Sequence, residues 1–234
     1  GTFRSERNIK NYTHGQFQSV YDYPFLSSSA NHIFDITMGY AASSTLSSST
    51  NTQNQKKINI YNQMAQVLYG YNQDGSIKLF DADGNLSDTT TDKIKEAYFI
   101  TFSRLLMKDE IQKGTFSITL NANRQHGHGG SGTNGSAASA SSGDGMYRLL
   151  ISDSSGSDGF LINSPVGEYG LLFATASNVG NLTGYELLTS GKNTAACGLI
   201  FYQAGVMVLT ASLFASGAAD AAGVRPQYAT AAAV

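Results

Sequence analysis

A chain of 234 residues is long enough to bury a sizeable core, and its net charge of −2 leaves no basic surplus to neutralise a phosphate backbone, which argues against nucleic acid as a partner. Only 14% of residues are charged, so a Tyr-rich surface of small residues suits permanent packing against other subunits, although an ordinary extracellular β-protein also fits. The single cysteine, Cys197, rules out an internal disulfide, and no run reaches the ~20 apolar residues of a membrane helix.

The chain opens "GTFRSERNIK", with no initiator Met and no signal-peptide core, and is expected to start after processing or after a trimmed or disordered leader. Tyr12, Phe17, Tyr21, Tyr23 and Phe25 follow without a clean period around Pro24, so residues 1–30 read as an extended arm that packs on the rest of the chain or on a neighbour. "HIFDITMGY" alternates Phe34, Ile36 and Met38 with Ile33, Asp35 and Thr37, the pattern of a strand. The Ser/Thr/Asn tract 41–55 reads as a linker or surface loop. Then Ile58, Tyr61, Met64 or Ala65, and Leu68 recur at helical spacing before Gly70, which predicts a helix over about 56–70 whose outer face is amide-rich.

"YNQDGSIKLFDADGNLSD" holds two Asp-Gly dipeptides, each a strong turn signal, around a short strand-like run. Asp81, Asp83 and Asn85 match the first, third and fifth ligand positions of a calcium loop. However, Leu86 stands where that loop needs Gly, and Asp92 where it needs Glu. A turn is preferred, and a cation shared by Asp81, Asp83 and Asp88 stays open as the alternative.

Tyr98–Phe102 is a strand candidate, and residues 104–113 a short helix with Ser103 as its N-cap and Gly114 as its stop. "TFSITL" (115–120) alternates as a half-buried strand that closes a sheet edge and that later strands can pair with. Residues 121–145 are a Gly/Ser-rich loop too poor in apolar bulk to repay its ordering entropy alone. His126 and His128 sit within it, without the further ligands a metal needs unless stacked copies supply them. From 146 onward strands dominate. "MYRLLIS" and "FLIN" suggest a hairpin, followed by "GEYGLLFATAS" and "GYELLTSG". "GLIFY" and "VMVLTA", joined at Gln203-Ala204-Gly205, are almost continuously apolar, which suits strands covered on both faces. The Ala-rich tail 215–234 is available to lie on a partner.

The expected fold is therefore α+β and β-dominated, one domain over 1–234, with antiparallel or mixed sheets or a sandwich, one longer and one short helix, and extended termini. No nucleophile elbow, phosphate loop or dinucleotide fingerprint is present, and His14, His32, His126 and His128 sit in loops or beside Asn. Cys197, beside an apolar run, reads as a buried inert thiol. No catalytic, cofactor-binding or metal residue is assigned, and an enzyme is not expected.

The phrases "NIKNYTHGQFQSVYDYPFLSSSANHIFDIT", "QKKINIYNQMAQVL", "YFITFSRLLMKDEIQKGTFSITL", "GEYGLLF" and "GLIFYQAGVMVLTAS" resemble virion structural proteins of large tailed bacteriophages, in particular those of marine T4-like myoviruses that infect cyanobacteria. The resemblance runs through most of residues 8–120 and 160–214, outside the Gly/Ser segment and the tail. It implies a non-enzymatic building block of the virion, in tail or baseplate, with head, neck and fibre as further places. Its partners would be other virion proteins and copies of itself. The alternative is a receptor- or glycan-binding adhesin module, calcium-assisted or not, that meets the host surface.

Overall fold

Strands that are apolar on both faces need cover on both sides, and this requirement organises the molecule. The computed structural model describes residues 6–48, 52–82, 93–123, 146–153, 161–176 and 194–214. Ten strands form one antiparallel sheet. In chain order they are β1 (Ile9–Asn11), β2 (Phe17–Tyr21), β3 (His32–Tyr40), β6 (Glu96–Phe102), β7 (Ser117–Asn123), β8 (Met146–Ser152), β9 (Leu161–Ser164), β10 (Gly167–Ala176), β11 (Thr194–Phe201) and β12 (Val206–Thr210). Across the sheet the order is β1-β2-β3-β6-β12-β11-β10-β8-β7, with β9 also on β10. Two further short strands, β4 (Phe80–Asp81) and β5 (Lys93–Ile94), pair with each other. The fold is α+β and β-dominated, as expected.

One face of the central strands carries Phe99, Val208, Leu199, Phe201, Tyr169 and Leu171, and the helix α1 (Thr52–Leu68) lies over it with Tyr61, Ala65 and Leu68 turned inward. Phe80 and Tyr69 complete an aromatic cluster there. The Phe80 ring lies 5.6 Å from Tyr61, 5.5 Å from Tyr69, 5.7 Å from Phe99 and 6.3 Å from Phe201. The opposite face carries Ile100, Met207, Leu209, Ile200, Cys197 and Leu172. Among the described residues no α-helix lies over it. Instead the sheet curls, so that Ile118 and Leu120 of β7 and nearby Phe116 fold back toward Phe34, Ile36 and Phe102, with Phe102 and Phe116 edge-on at 5.8 Å. All five residues of β12 are buried, as a strand between two covers must be.

Several expectations are corrected. The described part of the arm 1–30 packs on the rest of the chain, but as regular structure: β1 and β2 form a hairpin that extends the sheet, β2 pairing with β3 from Phe17↔Thr37 to Tyr21↔His32. The helix begins at Thr52, inside the tract read as a linker, because Asn54 is held in the core by the Tyr40 hydroxyl at 2.6 Å. It ends as predicted, with Gly70 at φ +88° donating to Ala65 O at 2.8 Å. The second helix, α2 (Arg104–Met107), is one turn rather than residues 104–113. Lys108 takes φ 54° and stops it, and Ser103 makes no side-chain cap. The hairpin expected of "MYRLLIS" with "FLIN" does not form; β8 pairs with β7 and β10, and β9 with β10. The strand read at 115–120 is Ser117–Asn123 and so runs into the segment read as a loop from 121; it does form a sheet edge, pairing with β8 rather than with its chain neighbour β6. The hairpin around Gln203-Ala204-Gly205 is present, with Gly205 at φ +65°. "GYELLTSG", the loop beyond residue 123 and the tail 215–234 lie outside the described residues.

Candidate functional site

The stretch "FDADGNLSD" begins in the stem of a hairpin. Asp81 is fully buried in β4, and the ammonium of Lys93, facing it in β5, bonds its carboxylate. The stem brings the chain back on itself at both ends of 82–92, as a turn requires. Asp83, Asn85 and Asp88 lie outside the described residues. Among the described residues no three His, Cys, Asp or Glu converge as metal ligands. The first Asp-Gly is a turn of the expected kind. Gly75 sits at φ +80°, and the Ser76 amide and hydroxyl both donate to Asp74, holding that carboxyl below its usual pKa.

Ser19, His32 and Asp35 come together, but in an order unsuited to nucleophilic catalysis. The Ser19 hydroxyl donates to Asp35 Oδ1, and His32 Nε2 meets the same oxygen at 2.8 Å. The imidazole therefore flanks the carboxylate instead of accepting the serine proton. His14 stacks on Tyr12 at 5.3 Å and takes the Gln16 amide on Nδ1, which ties down the β1–β2 turn. His126 and His128 are outside the described residues. Cys197 is fully buried and donates to Leu172 O at 3.3 Å, and burial pushes its thiol pKa up, away from the reactive thiolate.

Sequence patterns gave no warning of a buried polar knot around Asp153. Its Oδ2 accepts from the Tyr202 hydroxyl at 3.0 Å and from the Gly114 amide at 2.8 Å. Burial, then the bond to Asp153, pushes the Tyr202 phenol up. Gly170 makes room for that ring, since a Cβ there would lie 2.2 Å from its hydroxyl. Nearby, Lys113 reaches both Glu110, at 3.7 Å, and Glu168. The knot staples the start of β7, the end of β8 and the β11–β12 turn together.

A sizeable concavity was also invisible in the sequence because six separate segments build it. A groove of about 710 Å³ runs between α1 and the sheet. Ile60, Met64 and Val67 form its helix wall, Phe17, Phe99 and Val206 its apolar sheet side, and Gln16, Gln63, Gln203, Thr37 and Thr101 its scattered polar groups. Among the described residues, Asp35 and Arg104 are its only charged lining groups. Around one end of the groove the contacts join four loops. Ser164 Oγ donates to Leu68 O at 2.5 Å, Gly70 lies against Pro165, Gly167 against Gln203, and Gly205 against Met107 of α2. These loops and their flanks expose Val67, Tyr71, Leu105, Leu106 and Ile162, with Leu105 at 85% and Ile162 at 76%.

A smaller cavity of about 200 Å³ lies beyond the start of β2, lined by Asn11, Tyr12, Gln16, Gln18, Tyr98 and Lys57 among others. Burial lowers the Lys57 pKa and raises that of Tyr98. Among the described residues no helix is long and apolar enough to cross a membrane. Comparison with known proteins finds no family model, no curated protein and no solved structure that matches the chain.

Proposed function

We propose that the chain is a structural subunit of a tailed-bacteriophage virion, in the tail or baseplate, which acts by packing against copies of itself and other virion proteins and not by catalysis. The observation that carries this reading is the exposed apolar end formed by Val67, Tyr71, Leu105, Leu106 and Ile162. Single exposed apolar side chains are ordinary, but five gathered at one end beside an apolar groove mark an interaction surface. The low charge of the chain and the amide-rich outer face of α1 agree with a surface meant to be covered. Peptide mass spectrometry of purified particles tests it: the chain should be present in fixed ratio to the major tail proteins. Its absence from intact particles would overturn the proposal.

The adhesin alternative draws on the smaller cavity, where amides, two phenols and the half-buried Lys57 would suit a polar, anionic sugar-sized ligand. Saturation-transfer NMR with glucuronate and glucose separates the two. The packing role expects no transfer to either sugar, and transfer that is lost in Lys57→Met would favour the adhesin.

A further inference from the structure

We propose that the groove between α1 and the sheet is a socket for residues 215–234 of a second copy of this chain. The inference rests on the subunit-packing reading above and names the partner segment.

The position at which the described chain ends points to a second copy. Val206, the first residue of β12, lines the groove. From there β12 carries the chain away to Thr210, a rise of ~13 Å along the strand. The turn Ala211–Phe214 that follows packs Leu213 on the face opposite α1. The described chain thus ends on the other face, at the end of the sheet remote from Leu105 and Ile162. To enter its own groove the tail would have to wrap around the sheet. A neighbour stacked head to tail presents its groove end directly. A fully extended segment of this length spans at most ~70 Å, ample for that crossing. Such a contact is heterologous, and repeated by rotation it closes rings or builds stacks.

The chemistry of the segment fits the socket. Nine of its residues are Ala, Tyr228 is its one aromatic, and Asp220 and Arg225 are its only charged side chains. Small side chains let a backbone approach a groove floor closely, which buries its N–H and C=O groups and requires partners for them. Gln16, Gln63 and Gln203 supply amides able both to donate and to accept. Asp35 and Arg104, one of each sign, complement Arg225 and Asp220.

The test uses the full chain in two differently tagged forms, Val67→Cys in one and Ala231→Cys in the other, mixed and treated with a short bismaleimide. Val67 is exposed, so its replacement leaves the core intact, and the native Cys197 is buried and does not compete. The expected result is a cross-linked heterodimer several-fold more abundant than with Ser43→Cys, an exposed position past the far end of β3. An unlabelled full chain should suppress the product, and deleting 215–234 from the Val67→Cys form should leave the product unchanged, because the groove of that form and not its tail makes this contact. If the chain self-associates but cross-links no better than the control, the tail socket is overturned and subunit packing stands. In a further form carrying both Val67→Cys and Ala231→Cys, cross-linking confined to single chains would overturn the second-copy assignment. A chain that stays monomeric at every concentration would overturn the packing reading itself.

Discussion

Individual residues decide how closely the layers approach. Gly39 of β3 lies directly under α1, where a Cβ would sit 2.8 Å from the Tyr61 nitrogen and 3.0 Å from the Lys57 carbonyl oxygen. Both are helix backbone atoms that cannot rotate aside. Gly39→Ala should therefore lift the helix and cost about 2 kcal/mol, which for a domain of this size lowers Tm by roughly 4–8 °C in a calorimetric scan. An unchanged Tm would mean that the helix is not seated as described. The buried phenols set a second residue-scale expectation. Burial raises the pKa of Tyr61 and Tyr202 above the ordinary phenol value of 10.0, so they stay protonated in the native chain while their unfolded counterparts ionise. The unfolded state then binds fewer protons, and stability present below pH 10 is lost as pH rises past it. Phenolate absorbance from these residues should appear together with loss of circular dichroism. Ionisation of every tyrosine near pH 10 with the spectrum intact would contradict their burial. Of these environments only that of Tyr61 was legible, as a core position from its helical spacing; Tyr202 and Asp153 were not, because the two partners lie 49 residues apart.

At the scale of elements, α1 is joined to the β4–β5 hairpin by one hydroxyl. Tyr61 donates to Ile94 O at 2.5 Å and accepts from Phe80 N at 3.3 Å, all within the core. Tyr61→Phe keeps the ring but orphans a buried carbonyl and a buried amide, a loss of about 1–3 kcal/mol measurable by urea unfolding. A neutral outcome would show that the two elements are held by ring packing alone. The Asp81 carboxylate at the base of the same hairpin is taken up by Lys93, so calcium should leave Tm unchanged, whereas a rise with added calcium would restore the metal-loop reading by mass action. Local patterns disclosed α1 and β3 through their periods, β6, β8 and β10 through runs of strand-favouring residues, and the β11–β12 hairpin through two almost continuously apolar runs around a turn. They failed where pairing depends on distant partners. The expected β8–β9 hairpin rested on chain adjacency, yet β10 is long enough to hold both strands in tandem, β9 opposite Gly167–Tyr169 and β8 opposite Phe173–Ala176. The β1–β2 hairpin was hidden for a related reason: its aromatics pack on each other, Tyr12 against Phe17 at 4.6 Å, and its strands are too short to show a period.

For the whole molecule, the balance of exposure is uneven. The sheet buries both faces of its centre, while one end keeps Val67, Leu105, Leu106 and Ile162 in solvent beside an apolar groove. Composition hinted at a surface meant for neighbours, but the groove itself joins residues from positions 16 to 206 and has no signature in any one segment. In the proposed packing role this apolar end works by being covered by other subunits. Sedimentation of the full chain over a range of concentrations tests it most directly, with the Val67→Ser, Leu105→Ser, Leu106→Ser triple variant alongside. These side chains are exposed in the subunit, so the variant should keep its Tm within a few degrees. The account predicts concentration-dependent assembly of the unaltered chain and a shift of the variant to monomer. A chain that sediments as a compact monomer throughout, or a variant that assembles as well as its parent, would contradict it.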